Sequence, residues 1–327
     1  MSENSLPIIM TMIGDPAGVG PEVCIKALAT GAPYETSRPV LIGSLDAVQR
    51  AIAYTGLPLK ARAIRRLDEA RFERNVLDVL DDGELAAGEW TIGEASGACG
   101  RAVRRWMDEA TRLAEEGKIA GWIMAPVDRT SMKIGTGLDD FDEIQPPNTY
   151  LFRVSGNLRI VPISEHIPIS EVPSTVKKDL VLRVIDLVHT TLLDWGYENP
   201  HIGVAGLNPH SRGPEEVAEI KPAIAAAIAA GKKITGPVPP DSIFRQCVEG
   251  KYDAVVSMYH DQGQIALKTS SFEGACSMYL GLPYLHLTVP HGTAFDIAGK
   301  NQAQHLSMLS SMNTAGLLAT GRFKRGA

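Results

Sequence analysis

The stretch Pro7-Ile8-Ile9-Met10-Thr11-Met12-Ile13 runs directly into Gly14-Asp15-Pro16-Ala17-Gly18-Val19-Gly20, and Pro21 follows. A short apolar run closed by turn residues reads as a buried strand. The glycines end that strand. Proline then opens a helix at a first-turn position, where its missing N–H costs nothing. The same alternation recurs outward from this point. Residues 39–42 form a second apolar run. Over residues 98–113, Val103, Trp106, Met107, Ala110 and Leu113 recur at three- and four-residue spacing, so this segment is an amphipathic helix that feeds a strand at 119–124. Strands are expected at 158–163, 201–206, 254–258 and 285–289, and helices at 176–195, 215–230 and 304–318. Short strands alternating with longer helices predict an α/β sheet with crossover helices. Residues 133–150 are polar and contain Gly135, Gly137, Pro146 and Pro147, which predicts a loop over a cleft. Crossings between two lobes are expected near residues 130 and 285.

Composition narrows the function. The chain has 327 residues, 44% hydrophobic and 21% charged, which suits a large core divided into lobes. A net charge of −6 argues against nucleic acid as a partner, since phosphate backbones need a basic face. No window reaches the ~18 apolar residues of a membrane span, and the first ten residues lack the basic start and apolar run of a secretion signal. The four cysteines, Cys24, Cys99, Cys247 and Cys276, are dispersed without a CxxC pair. They read as reduced core thiols, and a cytoplasmic location is expected.

The histidines carry the chemistry. Three stand where strands give way to turns: His166 in Ser164-Glu165-His166-Ile167-Pro168, His210 in Gly206-Leu207-Asn208-Pro209-His210, and His260 in Ser257-Met258-Tyr259-His260-Asp261-Gln262-Gly263. Open α/β sheets bind ligands outside the carboxyl ends of their strands. Three imidazoles suit a borderline divalent metal and leave positions open for substrate. His189, His201 and His305 read as structural. The turn His291-Gly292-Thr293-Ala294-Phe295-Asp296-Ile297-Ala298-Gly299-Lys300 can offer backbone N–H groups to a nucleotide, as can the turn at residues 14–20. Neither is a GxGxxG fingerprint followed by an acidic residue about twenty positions on, so an ordinary Rossmann domain is disfavoured.

Taken together, these segments resemble the 4-hydroxythreonine-4-phosphate dehydrogenase (PdxA) family of vitamin B6 synthesis. The likeness rests on the opening through Glu22, Ala125-Pro126-Val127, residues 206–210, Gly236-Pro237 with Pro240-Asp241, residues 258–263 and His291-Gly292-Thr293-Ala294. The opening and the 291–300 turn also look like isopropylmalate dehydrogenase. The resemblance implies an α/β two-lobe fold of the isocitrate/isopropylmalate dehydrogenase type with its active-site cleft between the lobes. Residues 1–132 with 286–327 would form the first lobe. Residues 133–285 would form the second, with the metal ligands and a homodimer interface. It further implies a divalent metal (zinc, magnesium or cobalt) on His166, His210 and His260 shared between subunits. NAD or NADP would lie against Gly14, Asp15, His291, Gly292, Thr293 and Asp296. Lys268 matches a substrate-binding lysine, and Asp241 and Asp261 are candidates for proton transfer or support. The implied reaction is oxidation of a β-hydroxy acid followed by decarboxylation. A metallohydrolase would leave the 291–300 turn unexplained, and a non-catalytic binding protein would leave the histidines and Lys268 unexplained.

The chain departs from that family at the substrate end. Gly137-Leu138-Asp139-Asp140-Phe141-Asp142-Glu143 stands where the family has Gly-His-Thr-Glu, and the family's substrate-binding asparagine and arginine fall on Ser277 and His286. An imidazole lacks the fixed donor fork of a guanidinium. Three aspartates near a phosphate would repel it. These changes suggest a non-phosphorylated substrate, such as the cis-dihydrodiol of an aromatic dicarboxylate, with the phosphorylated vitamin B6 intermediate or another phospho-hydroxy acid as the alternative.

Overall fold

A computed structural model describes residues 6–138, 145–270 and 274–323. The chain divides into two compact units, Met1–Pro147 with Leu282–Thr320, and Asn148–Gly281 with the chain end from Gly321. The first contains β1 (Ile8–Met12), β2 (Arg38–Ile42), β3 (Lys60–Ile64), β4 (Val76–Leu80), β5 (Gly121–Met124) and β12 (Leu285–Thr288). Their order is β3-β4-β2-β1-β5-β12, and each neighbouring pair is parallel. The apolar run at residues 8–12 thus lies well inside the sheet, paired with β2 and β5. Helices α1 (Gly20–Ala29), α2 (Leu45–Thr55), α3 (Gly97–Glu115), α4 (Arg129–Thr136) and α10 (Leu306–Ala319) complete this unit. The five apolar residues predicted for one face of α3 are all buried.

Helix α4 corrects the expectation of a loop from residue 133. Asp128 accepts from the Ser131 N–H at 2.7 Å as N-cap, and Gly137 ends the helix in the left-handed conformation. Both signals were legible; the prolines farther along obscured them. Helix α4 packs on α3 at Gly100, where a side chain would overlap the Ser131 carbonyl. That contact keeps residues 129–136 in the first unit.

The second unit contains β6 (Tyr150–Ser155), β7 (Leu158–Ser164), β8 (His201–Ala205), β9 (Lys233–Val238), β10 (Ala254–Tyr259) and β11 (Cys276–Leu280), in the order β11-β6-β7-β10-β8-β9. The pairs β11/β6 and β6/β7 are antiparallel, and the run from β7 to β9 is parallel. The antiparallel strands were not anticipated. Its helices are α5 (Val172–Thr175), α6 (Lys178–Asp194), α7 (Lys221–Ala229), α8 (Ile243–Val248) and α9 (His260–Ser270). A core of Leu158, Ile160, Ala205, Ile243, Tyr252, Val255 and Leu267 joins β7, β8 and β10 to α8 and α9. All four cysteines are buried and unbridged. No helix among the described residues is long and apolar enough to cross a membrane.

Candidate active site

Strands β7, β10 and β8 are parallel neighbours in the second unit, so their carboxyl ends open side by side. Tyr259 lies opposite Ser164, whose hydroxyl donates to the Met258 carbonyl at 3.0 Å. The chain leaves β7 through Glu165 and His166 and leaves β10 through His260. The two rings therefore meet, with centroids 5.2 Å apart. Ligand atoms of Glu165, His166 and His260 all lie within 4.8 Å of one another. The Nδ1 of His260 is 2.7 Å from Asp261 Oδ1, which leaves Nε2 as the nitrogen to face a cation. A carboxylate on the far nitrogen is the usual support of a metal-binding imidazole. A cavity of about 260 Å³ opens over these groups, with Tyr259 in its wall. Two imidazoles and a carboxylate at this spacing fit a divalent cation.

His210 does not join that set. It is exposed on the turn after β8, in the left-handed region at φ 57°, followed by Ser211 at φ 54°. Glu216 builds the turn: one of its oxygens accepts from the N–H groups of Leu207 and Asn208, both at 2.7 Å. Burial pushes this carboxyl up, but donation from Asn208 and the Leu207 and Glu216 N–H groups outweighs it and holds the pKa below its ordinary value. Gln262 ties the two loops, accepting from Met258 N–H at 2.8 Å and donating to the Gly206 carbonyl at 2.9 Å. Lys268 is exposed on α9, eight residues beyond His260, about 12 Å along a helix. Asp241 is exposed before α8, and Ser277 is buried on β11 opposite Arg153.

The first unit joins the two glycine turns singled out separately from the sequence. Val19 N–H donates to the Thr293 carbonyl at 2.9 Å, and a side chain at Gly18 would crowd Thr293. Two residues assigned to the cofactor lie in the interior. Gly14 is buried at φ 74°, and a Cβ there would overlap the Pro126 carbonyl, so its glycine serves close packing. Asp15 is fully buried and accepts from Ala17 N–H at 2.9 Å, which holds its own turn. Burial raises its pKa, against donation from Ser131 and Ala17. Thr293 is buried as well, whereas Gly292 and Asp296 are exposed and His291 is half-buried. A side chain at Gly292 would meet nothing within 4 Å.

His286, assigned to the substrate, is interior too. On β12 it lies opposite Trp122, with ring centroids 3.8 Å apart and the planes stacked. It is 4% exposed, and burial pulls its pKa down to about 3. A buried, neutral imidazole lacks the charge and the donor fork of an arginine. Asp139, Asp140 and Asp142 lie outside the described residues. A larger cavity of about 650 Å³ in the first unit is rimmed by Arg66, Arg112 and Lys118. These cations are already paired with Asp68, Glu109 and Glu116, and none of the candidate site residues lines the cavity.

Sequence reasoning missed Glu165, Arg153, Glu216 and Gln262. Glu165 was adjacent to a chosen histidine, and Gln262 lay in a chosen motif. Arg153 and Glu216 carried no local signal, because their partners are supplied by other elements.

The comparisons agree on one family. Residues 35–315 match the family described as pyridoxal phosphate biosynthetic protein PdxA. A Novosphingobium aromaticivorans protein, provisionally named a 4-hydroxythreonine-4-phosphate dehydrogenase, is 44% identical over 98% of this chain and 97% of its own length. A Cupriavidus necator D-threonate 4-phosphate dehydrogenase is 35% identical over 97% of this chain and 98% of its own. The structure of a Klebsiella pneumoniae 4-hydroxythreonine-4-phosphate dehydrogenase superposes with a TM-score of 0.86 at 34% identity, covering 96% of this chain and 99% of the other. A Burkholderia xenovorans terephthalate 1,2-cis-dihydrodiol dehydrogenase gives 0.67 at 26%, covering 97% and 98%. The α/β fold, the histidine-bearing strand ends and these matches make the chain a member of the PdxA family of dehydrogenases.

Proposed function

We propose that the protein is an NAD(P)-linked, cation-dependent dehydrogenase of a phosphorylated β-hydroxy acid of the 4-hydroxythreonine 4-phosphate or threonate 4-phosphate type. The observation that carries this reading is the meeting of His166 and His260 at adjacent strand ends, with Asp261 supporting His260. The names of the relatives at 35–44% identity speak for a phosphate ester. They speak against the non-phosphorylated dihydrodiol that the altered substrate end suggested, since the dihydrodiol dehydrogenase is the more distant match.

A divalent cation on these ligands would supply a Lewis acid, lowering the pKa of the substrate hydroxyl and stabilising the enolate left by carbon dioxide. A bound nicotinamide would accept the hydride. The remaining work belongs to the chain. Asp261 holds the His260 ring through Nδ1, which leaves Nε2 for a cation, and Gln262 ties the end of β10 to the turn after β8. The exposed turn at Gly292 is anchored through Thr293 to Val19 and offers open backbone to a cofactor. Lys268 offers a compact cation for the substrate's phosphate or carboxylate. His210 is assigned to complete the ligand set across a homodimer.

The test is absorbance of reduced nicotinamide with 4-hydroxythreonine 4-phosphate, D-threonate 4-phosphate and a terephthalate dihydrodiol, each with and without chelator. Turnover of a phosphate ester that stops with chelator is expected. Turnover of the dihydrodiol alone, or indifference to chelation, would overturn the assignment.

A further inference from the structure

We propose that Glu165 is itself a ligand of the cation and that Arg153 is the positioning residue that aims it. This rests on the cation site proposed above and adds to it a carboxylate that the histidine pattern does not contain. Consecutive residues of a strand point to opposite faces. Glu165 and His166 lie just past the end of β7, where the Ile167 N–H donates back to the Glu165 carbonyl at 3.0 Å. That tight turn breaks the alternation, and both side chains deliver ligand atoms to the place where His260 arrives.

The Glu165 carboxylate is not a loose surface group. The two terminal nitrogens of Arg153 donate to its two oxygens, each at 2.8 Å, and the Arg153 side chain is 5% exposed. Arg153 projects from β6, which pairs with β7, so the sheet fixes the fork. A bidentate fork occupies one lone pair on each oxygen and leaves another on each. The carboxylate can therefore hold Arg153 and still donate to a cation. A secluded ion pair adds little net stability over apolar side chains of the same size. Its place against two imidazoles is accounted for if it holds the carboxylate in readiness. Within one chain the donors are then two imidazoles and one carboxylate, a set that suits borderline divalent ions.

Cobalt(II) titrated into the full-length protein tests this, with visible absorbance reporting coordination and equilibrium dialysis reporting affinity. Glu165→Gln should weaken cobalt binding by tenfold or more and change the spectrum. Arg153→Lys keeps the charge but loses the fork, and should shift the spectrum with a smaller loss. The double variant Arg153→Met with Glu165→Met removes the ion pair without leaving a lone buried charge. It should keep its melting temperature while losing cobalt as Glu165→Gln does. Wild-type affinity and spectrum in both Glu165 variants, with binding abolished in His260→Ala, would overturn the role of Glu165 alone. Absence of cobalt binding by the wild-type protein, or full binding by His260→Ala, would instead overturn the cation site on which it rests.

Discussion

The glycine turn at residues 14–20 and the histidine turns after β7 and β10 both follow strand ends, yet the protein uses them differently. The first is buried throughout, its backbone tied to Thr293 and its carboxylate folded back on Ala17. The second pair is open to a cavity, with rings and a carboxylate converging. A strand end is thus a position where a site can be built, and burial decides whether its residues meet a ligand or the rest of the chain. Glycine, chosen for close approach, serves either purpose.

The histidine turns and the glycine turn should respond in opposite ways to substitution. His166→Ala or His260→Ala should lower kcat by on the order of 10²–10³, with melting temperature nearly unchanged. A fall in stability without a kinetic effect would place these residues with the packed turn. Gly14→Ala should show the opposite pattern. The strained backbone and the clash with Pro126 should cost roughly 2–4 kcal/mol in denaturant unfolding. Gly292→Ala, with open space around it, should leave stability unchanged within about 0.5 kcal/mol and weaken nicotinamide binding measured by fluorescence.

Glu216 sharpens the picture of how the histidine turns are held. Its depressed pKa means that the ionised form stabilises the fold above the unfolded pKa, and that this contribution is lost as pH falls through the folded value. Glu216→Gln should cost about 1–3 kcal/mol near neutrality, and the gap to wild type should close in acid. His286 has the same pH sign for a different reason. Kept neutral by burial down to about 3, it destabilises the fold as pH drops below the ordinary histidine range, while the unfolded chain takes up a proton. His286→Arg would bury a charge against Trp122, so lower stability is expected, with no gain in use of a phosphorylated substrate. Asp261→Asn should weaken cobalt affinity by roughly ten- to a hundredfold through the orientation of His260.

Local pattern alone determined the alternation of strands and helices, the apolar face of α3, and the placing of three histidines at strand ends. Those features depend on spacing along the chain, which the sequence displays directly. Strand β3 escaped notice because an edge strand such as Lys60-Ala61-Arg62-Ala63-Ile64 buries little and carries little apolar signal. Strand β6 escaped because its Arg153 looks like surface until Glu165 is beside it. Tertiary structure decided that His166 and His260 meet within one chain while His210 stands apart, that Glu165 joins them, and that Gly14, Asp15 and His286 are interior. Each of these depends on strand order and register, which bring together residues tens of positions apart.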